Sequence, residues 1–212
     1  MRNKMNFVSF KNSLKDFPVF SMSDIRAVHP NFDRRRLSEW QKKRYIQKII
    51  KGHYIFSEVD IDESMLSVIA NKIYKPSYIS FETAMSHYQL IPESIYMITS
   101  ASTRRTYLFE TPLARFSYRT IKPALFFGYS ILPGGIKMAF MEKTILDYFY
   151  LNPSIRNEDD FSALRINREE MLNRLEKERL TDYVLRFNQK RLSNTIKHFF
   201  EWLGYPNFTK AI

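Results

Sequence analysis

The positively charged side chains between residues 33 and 56 have the types and spacing needed to bind the phosphates and base edges of a nucleic acid. This segment, DRRRLSEWQKKRYIQKIIKGHYIF, contains two acidic residues and eight basic ones. The basic residues are Arg34, Arg35, Arg36, Lys42, Lys43, Arg44, Lys48 and Lys51. Lysine and arginine bind phosphate through charge-assisted hydrogen bonds, and arginine can also donate two hydrogen bonds to guanine. Charge alone would equally fit a solvated basic surface, so the elements that carry these residues must decide.

Apolar spacing divides this segment into a helix and a hairpin. Leu37 and Trp40 are three residues apart, which predicts one buried edge of a helix from Asp33 to about Lys43. Beyond it, β-branched and aromatic residues flank Lys51-Gly52, where a glycine can adopt the positive φ of a tight turn. A basic helix followed at once by a hairpin with a basic tip is typical of the recognition helix and wing of a winged helix-turn-helix.

The residues before the basic helix complete this outline. Apolar residues recur at helical spacing from Phe7 to Phe17, which predicts a first helix closed by Pro18. Val19-Phe20 can add a small strand to the wing. Ser21 or Ser23 can then cap a short helix that ends before Pro30, because the residue preceding a proline avoids the α region.

The helical wheel separates the predicted DNA contacts into two groups. The residues opposite the buried edge, which we expect to face the major groove, are Arg35, Ser38, Glu39 and Lys42. Those expected to reach phosphates or the adjacent minor groove are Arg34, Arg36, Lys43, Lys48, Lys51 and His53.

A second basic cluster is interleaved with aromatic residues of predicted strands. Its members are Arg104, Arg105, Arg115 and Arg119. Arginines among aromatic rings can bind single-stranded bases, which would make this cluster a second contact for nucleic acid such as RNA. On a half-exposed sheet, such residues are more often packing residues with solvated neighbours.

The residue types that catalysis and metal binding require are missing or badly spaced. The chain has no cysteine, and its four histidines are scattered without metal-binding spacing. Gly134-Gly135 lacks a following Lys-Ser/Thr and predicts a turn rather than a phosphate loop. Glu142 and Asp147 are five residues apart and fall on different faces of one helix. We therefore predict no catalytic residue, no metal site, no cofactor and no enzyme; a nuclease is the least favoured alternative.

Charge divides the 212 residues into two parts. Residues 1–57 hold 13 of the 33 basic and 4 of the 22 acidic residues, a net charge of +9 out of +11. The polar junction SEVDIDES follows and predicts a boundary between a DNA-binding domain (1–57) and a second domain (58–212). No apolar run is long enough to cross a membrane, and the N-terminus has no signal-peptide pattern, so we expect a cytoplasmic protein.

The second domain is predicted to be α+β, with a small antiparallel sheet and flanking helices. Helices are expected over 62–73, 81–88, 138–151, 168–185 and 189–203. Strands are expected at 78–79, 95–99, 106–109, 116–121 and 125–132.

This order of elements resembles the AbiEi family of bacterial antitoxins, which belong to type IV (abortive infection) toxin–antitoxin pairs that act in phage defence. The resemblance is carried by the basic helix with KGHYIF and by YISFETAMSHYQLIPES, IYMITSAS and MAFMEKTILDYFY. It implies an N-terminal winged helix-turn-helix that represses its own operon and a C-terminal region that counteracts a nucleotidyltransferase-like toxin.

Two readings of function follow from this resemblance. The first is an antitoxin and transcriptional autorepressor whose partners are double-stranded operator DNA and the toxin. Direct toxin contact is left open, and the second basic cluster is its candidate site. The second is a toxin-binding protein whose winged module docks protein rather than DNA. The basic helix face favours the first.

Overall fold

The N-terminal part of the chain contains three short helices and a three-stranded antiparallel sheet. The computed structural model describes residues 5–92 and 97–205. The N-terminal elements are α1 (Phe7–Ser13), β1 (Val19–Ser21), α2 (Met22–Val28), α3 (Arg35–Lys42), β2 (Ile46–Ile50) and β3 (His53–Phe56). The strand order β1-β3-β2 places the predicted extra strand beside the hairpin. The winged-helix-like outline is therefore confirmed, although α1 ends before Phe17, whose ring is exposed.

Two local capping arrangements set the directions of α2 and α3. Ser21 caps α2 in a capping box with Asp24, as the sequence predicts. At α3, Arg34 holds the cap position, but the carboxylate of Asp33 accepts a hydrogen bond from the backbone N–H of Arg35 at 3.0 Å. The helix predicted from Asp33 thus begins two residues later, at Arg35, and Asp33 satisfies one of its first backbone N–H groups.

The C-terminal part is built on a six-stranded sheet with the strand order β6-β7-β5-β4-β9-β8. Its strands are β4 (Ser77–Ile79), β5 (Met97–Ser102), β6 (Tyr107–Glu110), β7 (Arg115–Thr120), β8 (Tyr129–Leu132) and β9 (Ile136–Ala139). Its helices are α4 (Glu63–Ile73), α5 (Phe81–His87), α6 (Met141–Leu151), α7 (Glu158–Ala163), α8 (Arg168–Arg174), α9 (Lys177–Phe187) and α10 (Lys190–Trp202). The start of the strand predicted from Ile95 lies outside the described residues.

The α+β class is confirmed, but the expectation of an antiparallel sheet is wrong. Strands β5 and β7 pair in parallel, as do β4 and β9. The hairpin of β6 and β7 places β6 at the sheet edge, so β7 returns beside β5 in the same direction. Residue alternation predicts a strand but does not reveal its neighbour, so the sequence could not reveal this mixed topology.

Two predicted helices also differ from the observed ones. The helix predicted from Met138 begins at Met141, because Ile136–Ala139 forms β9 between β4 and β8. The helix predicted over 168–185 is interrupted at Leu175, which has an extended backbone. There the N–H of Glu176 donates to the carboxylate of Glu142 at 2.7 Å, a contact that a continuous helix would not allow.

A buried polar network joins the sheet to α6. Lys143 and Asp147 form an ion pair with both side chains fully buried. Asp147 also accepts hydrogen bonds from Tyr78 at 2.8 Å and from Ser80 at 3.0 Å. Ser80 occupies the cap position of α5, but its hydroxyl donates to Asp147 rather than accepting from the backbone of the helix. Burial lowers the pKa of Lys143 and raises the pKa of Asp147, since desolvation disfavours both charged forms.

The two parts of the chain share a hydrophobic cluster across α4. Val19, Ile49 and Ile55 of the small sheet belong to the same buried cluster as Ile69 and Ile73 of α4. Beside it, Lys72 of α4 forms an ion pair with Asp24 of α2 at 2.9 Å. Burial alone would raise the pKa of Asp24, but hydrogen bonds from Ser21 and Lys72 outweigh it and hold that pKa below its ordinary value. The functional boundary at residues 57/58 stays a prediction.

Candidate nucleic-acid interface

Helix α3 is anchored by its two apolar residues and turns its charged residues outward. Leu37 is 1% and Trp40 3% exposed. The ring of Trp40 packs against Phe10, with their centroids 4.5 Å apart, and against Phe7 and Phe32. The α3 side chains predicted to contact DNA that are exposed are Arg34, Arg35, Ser38, Glu39, Lys42 and Lys43. The structure therefore brings this group together on one accessible surface.

Ion pairing distinguishes the charged residues of this surface. Arg36 is half-buried and pairs with Glu39 at 3.2 Å, so these two charges largely offset each other. Four other cations lie on α3 or at its two cap positions: Arg34, Arg35, Lys42 and Lys43. Within the described part of the chain, no ion pair is found for any of them. These four remain available to an anionic ligand.

The wing extends the basic surface through its two lysines but not through its histidine. Lys48 and Lys51 are exposed, and Gly52 takes the positive φ of 86° that the turn requires. His53 is half-buried, and its Nδ1 has no hydrogen-bond partner among the described residues. Burial is the main reason that the pKa of His53 lies below its ordinary value. Burial thus favours the neutral form of the ring, which can still donate one N–H, and a contact between His53 and DNA stays a prediction.

A cleft of about 440 Å³ lies between the end of α3 and strand β2. The residues that line it are Gln41, Arg44, Ile46, Gln47, Lys48 and Ser57. Of these, only Lys48 was among the predicted contacts. Arg44 follows Lys42 and Lys43 directly in the sequence. Its place in this basic run is the sequence feature that could have marked it as a DNA contact.

The second predicted basic cluster does not form one free cationic surface. Arg115 pairs with Glu110 at 3.3 Å, and Arg119 pairs with Glu82 at 2.8 Å. Arg104 stacks over the ring of Tyr74 at 4.3 Å and donates a hydrogen bond to the carbonyl of Lys75. Arg105 is exposed. Three of these four arginines thus have partners within the protein, which favours the packing alternative.

The described residues form neither a metal-binding cluster nor a membrane-spanning helix. Over residues 5–92 and 97–205, no group of three or more His, Asp or Glu side chains is placed to hold a metal ion. None of the described helices has the length and apolar character needed to cross a bilayer.

These features define an α+β protein with a winged-helix-like N-terminal part, joined to a six-stranded mixed sheet with flanking helices. Among solved structures, the RV2827C protein from Mycobacterium tuberculosis has a similar fold, with a TM-score of 0.63. The two sequences are 12% identical, and the alignment covers 98% of this chain and 82% of that chain. At this identity the similarity establishes the fold alone. No protein-family model and no curated protein matches the sequence.

Proposed function

We propose that this protein binds double-stranded DNA upstream of its own gene and represses that gene. The observation that carries the proposal is the exposed face of α3 with its unpaired cations, placed beside a wing with two exposed lysines. A helix of this kind fits the major groove, while the hairpin reaches the neighbouring phosphates. The net charge of +9 on residues 1–57 would attract the phosphate backbone at long range.

The second half of the proposal is that the protein acts as an antitoxin, by binding rather than by catalysis. It rests on the resemblance of the sequence to AbiEi antitoxins, in which repression and opposition to a nucleotidyltransferase-like toxin occur in one chain. Residues 58–212 would carry the antitoxic activity in the cytoplasm. Rescue of bacteria that express the toxin tests this activity both for direct contact with the toxin and for indirect opposition.

The first prediction concerns the electrostatic part of DNA binding. Each phosphate neutralised by a lysine adds about 0.9 to the slope of log affinity against log salt concentration. Replacing Lys51 with alanine should therefore flatten that slope by about one and weaken all DNA sequences alike. Gel shifts at several salt concentrations measure this. Lys15→Ala, which removes an exposed lysine outside α3 and the wing, is the matched control and should leave the slope unchanged. Absence of DNA binding by the unmodified protein at low salt would contradict the proposal.

The second prediction separates sequence recognition from antitoxic activity. Arg35 is exposed and lies opposite the buried edge of α3, so Arg35→Ala should cost about 1–3 kcal/mol on the upstream DNA and less on random DNA. A reporter fused to the upstream DNA should then lose repression. Bacteria that express the toxin should still be rescued by the same variant, since Arg35 lies outside residues 58–212, to which the antitoxic activity is assigned.

Two results would count against this division of roles. Equal losses on upstream and random DNA would make Arg35 a phosphate contact only. Loss of rescue, with an unchanged circular-dichroism spectrum, would mean that the α3 surface itself opposes the toxin, as expected if the winged module docks protein.

A further inference from the structure

Arg44 has a backbone conformation that arginine rarely adopts. Its φ is 58°, in the left-handed region. It follows the last turn of α3, where its N–H donates to the carbonyl of Gln41 at 3.0 Å and the N–H of Tyr45 donates to the carbonyl of Trp40 at 2.9 Å. This is the helix stop that glycine usually occupies, since glycine has no Cβ to clash. A side chain at this position is strained, and strained residues concentrate at functional sites.

The helix end does not need Arg44 for its charge. Positive side chains are favourable near a helix C-terminus, but Lys42 and Lys43 already supply two of them there. Lys43 does so with an ordinary helical backbone, at φ −80°. Neither the backbone nor the helix end therefore accounts for an arginine at this strained position, and Arg44 is one of the residues that line the cleft.

The cleft has the composition of an anion site. Its six lining residues include two cations, Arg44 and Lys48, and no acid. No ion pair is found for either cation within the described part of the chain, and both are exposed. Gln47 and Ser57 add neutral hydrogen-bond donors. The arginine fork is suited to two oxygens of one phosphate group, and lysine adds a point charge.

We propose that this cleft holds a phosphate group, bound by Arg44 and Lys48 with Gln47 and Ser57 as hydrogen-bond donors. The inference rests on the proposed DNA binding for the source of that phosphate. Gln41, at the rim of the cleft, is three residues after Ser38 and therefore its neighbour on the surface of α3. A phosphodiester of the strand that borders the groove occupied by α3 would reach the cleft. Free phosphate would use the same chemistry.

The conformation of Arg44 permits an unusually clean test. Arg44→Gly removes the side chain and places glycine, which adopts a positive φ without strain, at this position. The melting temperature of the variant should therefore be no lower than that of the unmodified protein. Arg165 also has a left-handed backbone, at φ 52°, and is exposed, so Arg165→Gly is a control matched in charge and conformation. If Arg44→Gly should nonetheless melt early, Lys48→Ala tests the cleft without altering the helix end.

Two measurements are made on each full-length variant. The first is affinity for the upstream DNA as a function of salt. The second is the change in the backbone amide NMR signals of Gln47 and Ser57 on adding sodium phosphate, relative to sodium chloride at equal ionic strength. For Arg44→Gly we expect about tenfold weaker DNA binding, a salt slope lower by about 0.9 and loss of the phosphate response. Arg165→Gly should match the unmodified protein in both.

The other outcomes separate this inference from the proposed function. If Arg44→Gly loses the phosphate response but keeps full DNA affinity, the phosphate bound in the cleft does not belong to DNA, and free phosphate is the ligand. If the unmodified protein binds no DNA yet shows a phosphate response that depends on Arg44, DNA binding fails while the anion site stands. If Arg44→Gly equals the unmodified protein in both measurements, the anion site is overturned.

Discussion

Replacing Trp40 with alanine is expected to destabilise the protein by about 3–5 kcal/mol and to abolish DNA binding. Trp40 is only 3% exposed, and its ring packs against the rings of Phe7, Phe10 and Phe32 on the buried side of α3. Removing it leaves a cavity that these rings cannot fill without moving α3. The predicted DNA-contact side chains on the opposite face of the helix would then lose their common orientation.

Denaturant unfolding followed by circular dichroism measures the stability change, and gel shifts measure DNA binding. Phe17→Ala is the matched control, since Phe17 is an aromatic residue of the same N-terminal part but is 42% exposed. Its effect should be clearly smaller than that of Trp40→Ala, because a ring that is 42% exposed loses less buried contact on truncation. An unfolding midpoint for Trp40→Ala equal to that of the unmodified protein would show that α3 does not depend on this ring.

Breaking the buried ion pair of α6 should have a similarly large effect. Lys143→Met leaves Asp147 fully buried without its cation, and such a change typically costs about 3–5 kcal/mol. Tyr78 and Ser80 would still donate to Asp147 but cannot neutralise it. Lys143→Met combined with Asp147→Asn should cost less than the sum of the two single changes, because each single change leaves the other charge buried and unpaired.

An exposed ion pair at the same spacing provides the control for this experiment. Asp182 and Arg186 are four residues apart on α9, with their charged groups 3.0 Å apart and more than half of each side chain exposed. Arg186→Met should cost less than about 1 kcal/mol. Thermal unfolding of the variants measures both differences in stability: that between the single and double variants of the buried pair, and that between Lys143→Met and Arg186→Met. A loss for Lys143→Met as small as that for Arg186→Met would show that the buried pair contributes nothing to stability.

The local features of the N-terminal part were predictable because they depend on residues close together in the chain. Leu37 and Trp40 determine which edge of α3 is buried, and Gly52 permits the turn of the wing. Ser21 and Asp24 form a capping box within four consecutive residues. The candidate DNA-contact residues on α3 could be grouped for the same reason, since a helical wheel needs only the period of the helix.

The cleft and the neutral state of His53 could not be predicted in this way. The cleft requires α3 and β2 to be placed against each other, and it includes Ser57 from beyond the hairpin. The left-handed conformation of Arg44 is unexpected for an arginine, so the sequence indicates only a basic residue after a helix. From the sequence His53 is predicted to reach a phosphate or the minor groove, whereas in the structure burial first, and the charge of Lys72 on α4 as a smaller cause, lower its pKa.

The sequence by itself determined the α+β class, the winged-helix-like order of elements and the concentration of positive charge in residues 1–57. These properties follow from composition and from periodicities of two to four residues. The tertiary structure decided the mixed pairing of the large sheet, the partners of the arginines at 104, 115 and 119, and the burial of Lys143 with Asp147. Tyr78 and Asp147 are 69 positions apart, yet they share a hydrogen bond. Contacts across such distances arise from packing, and no local pattern encodes them.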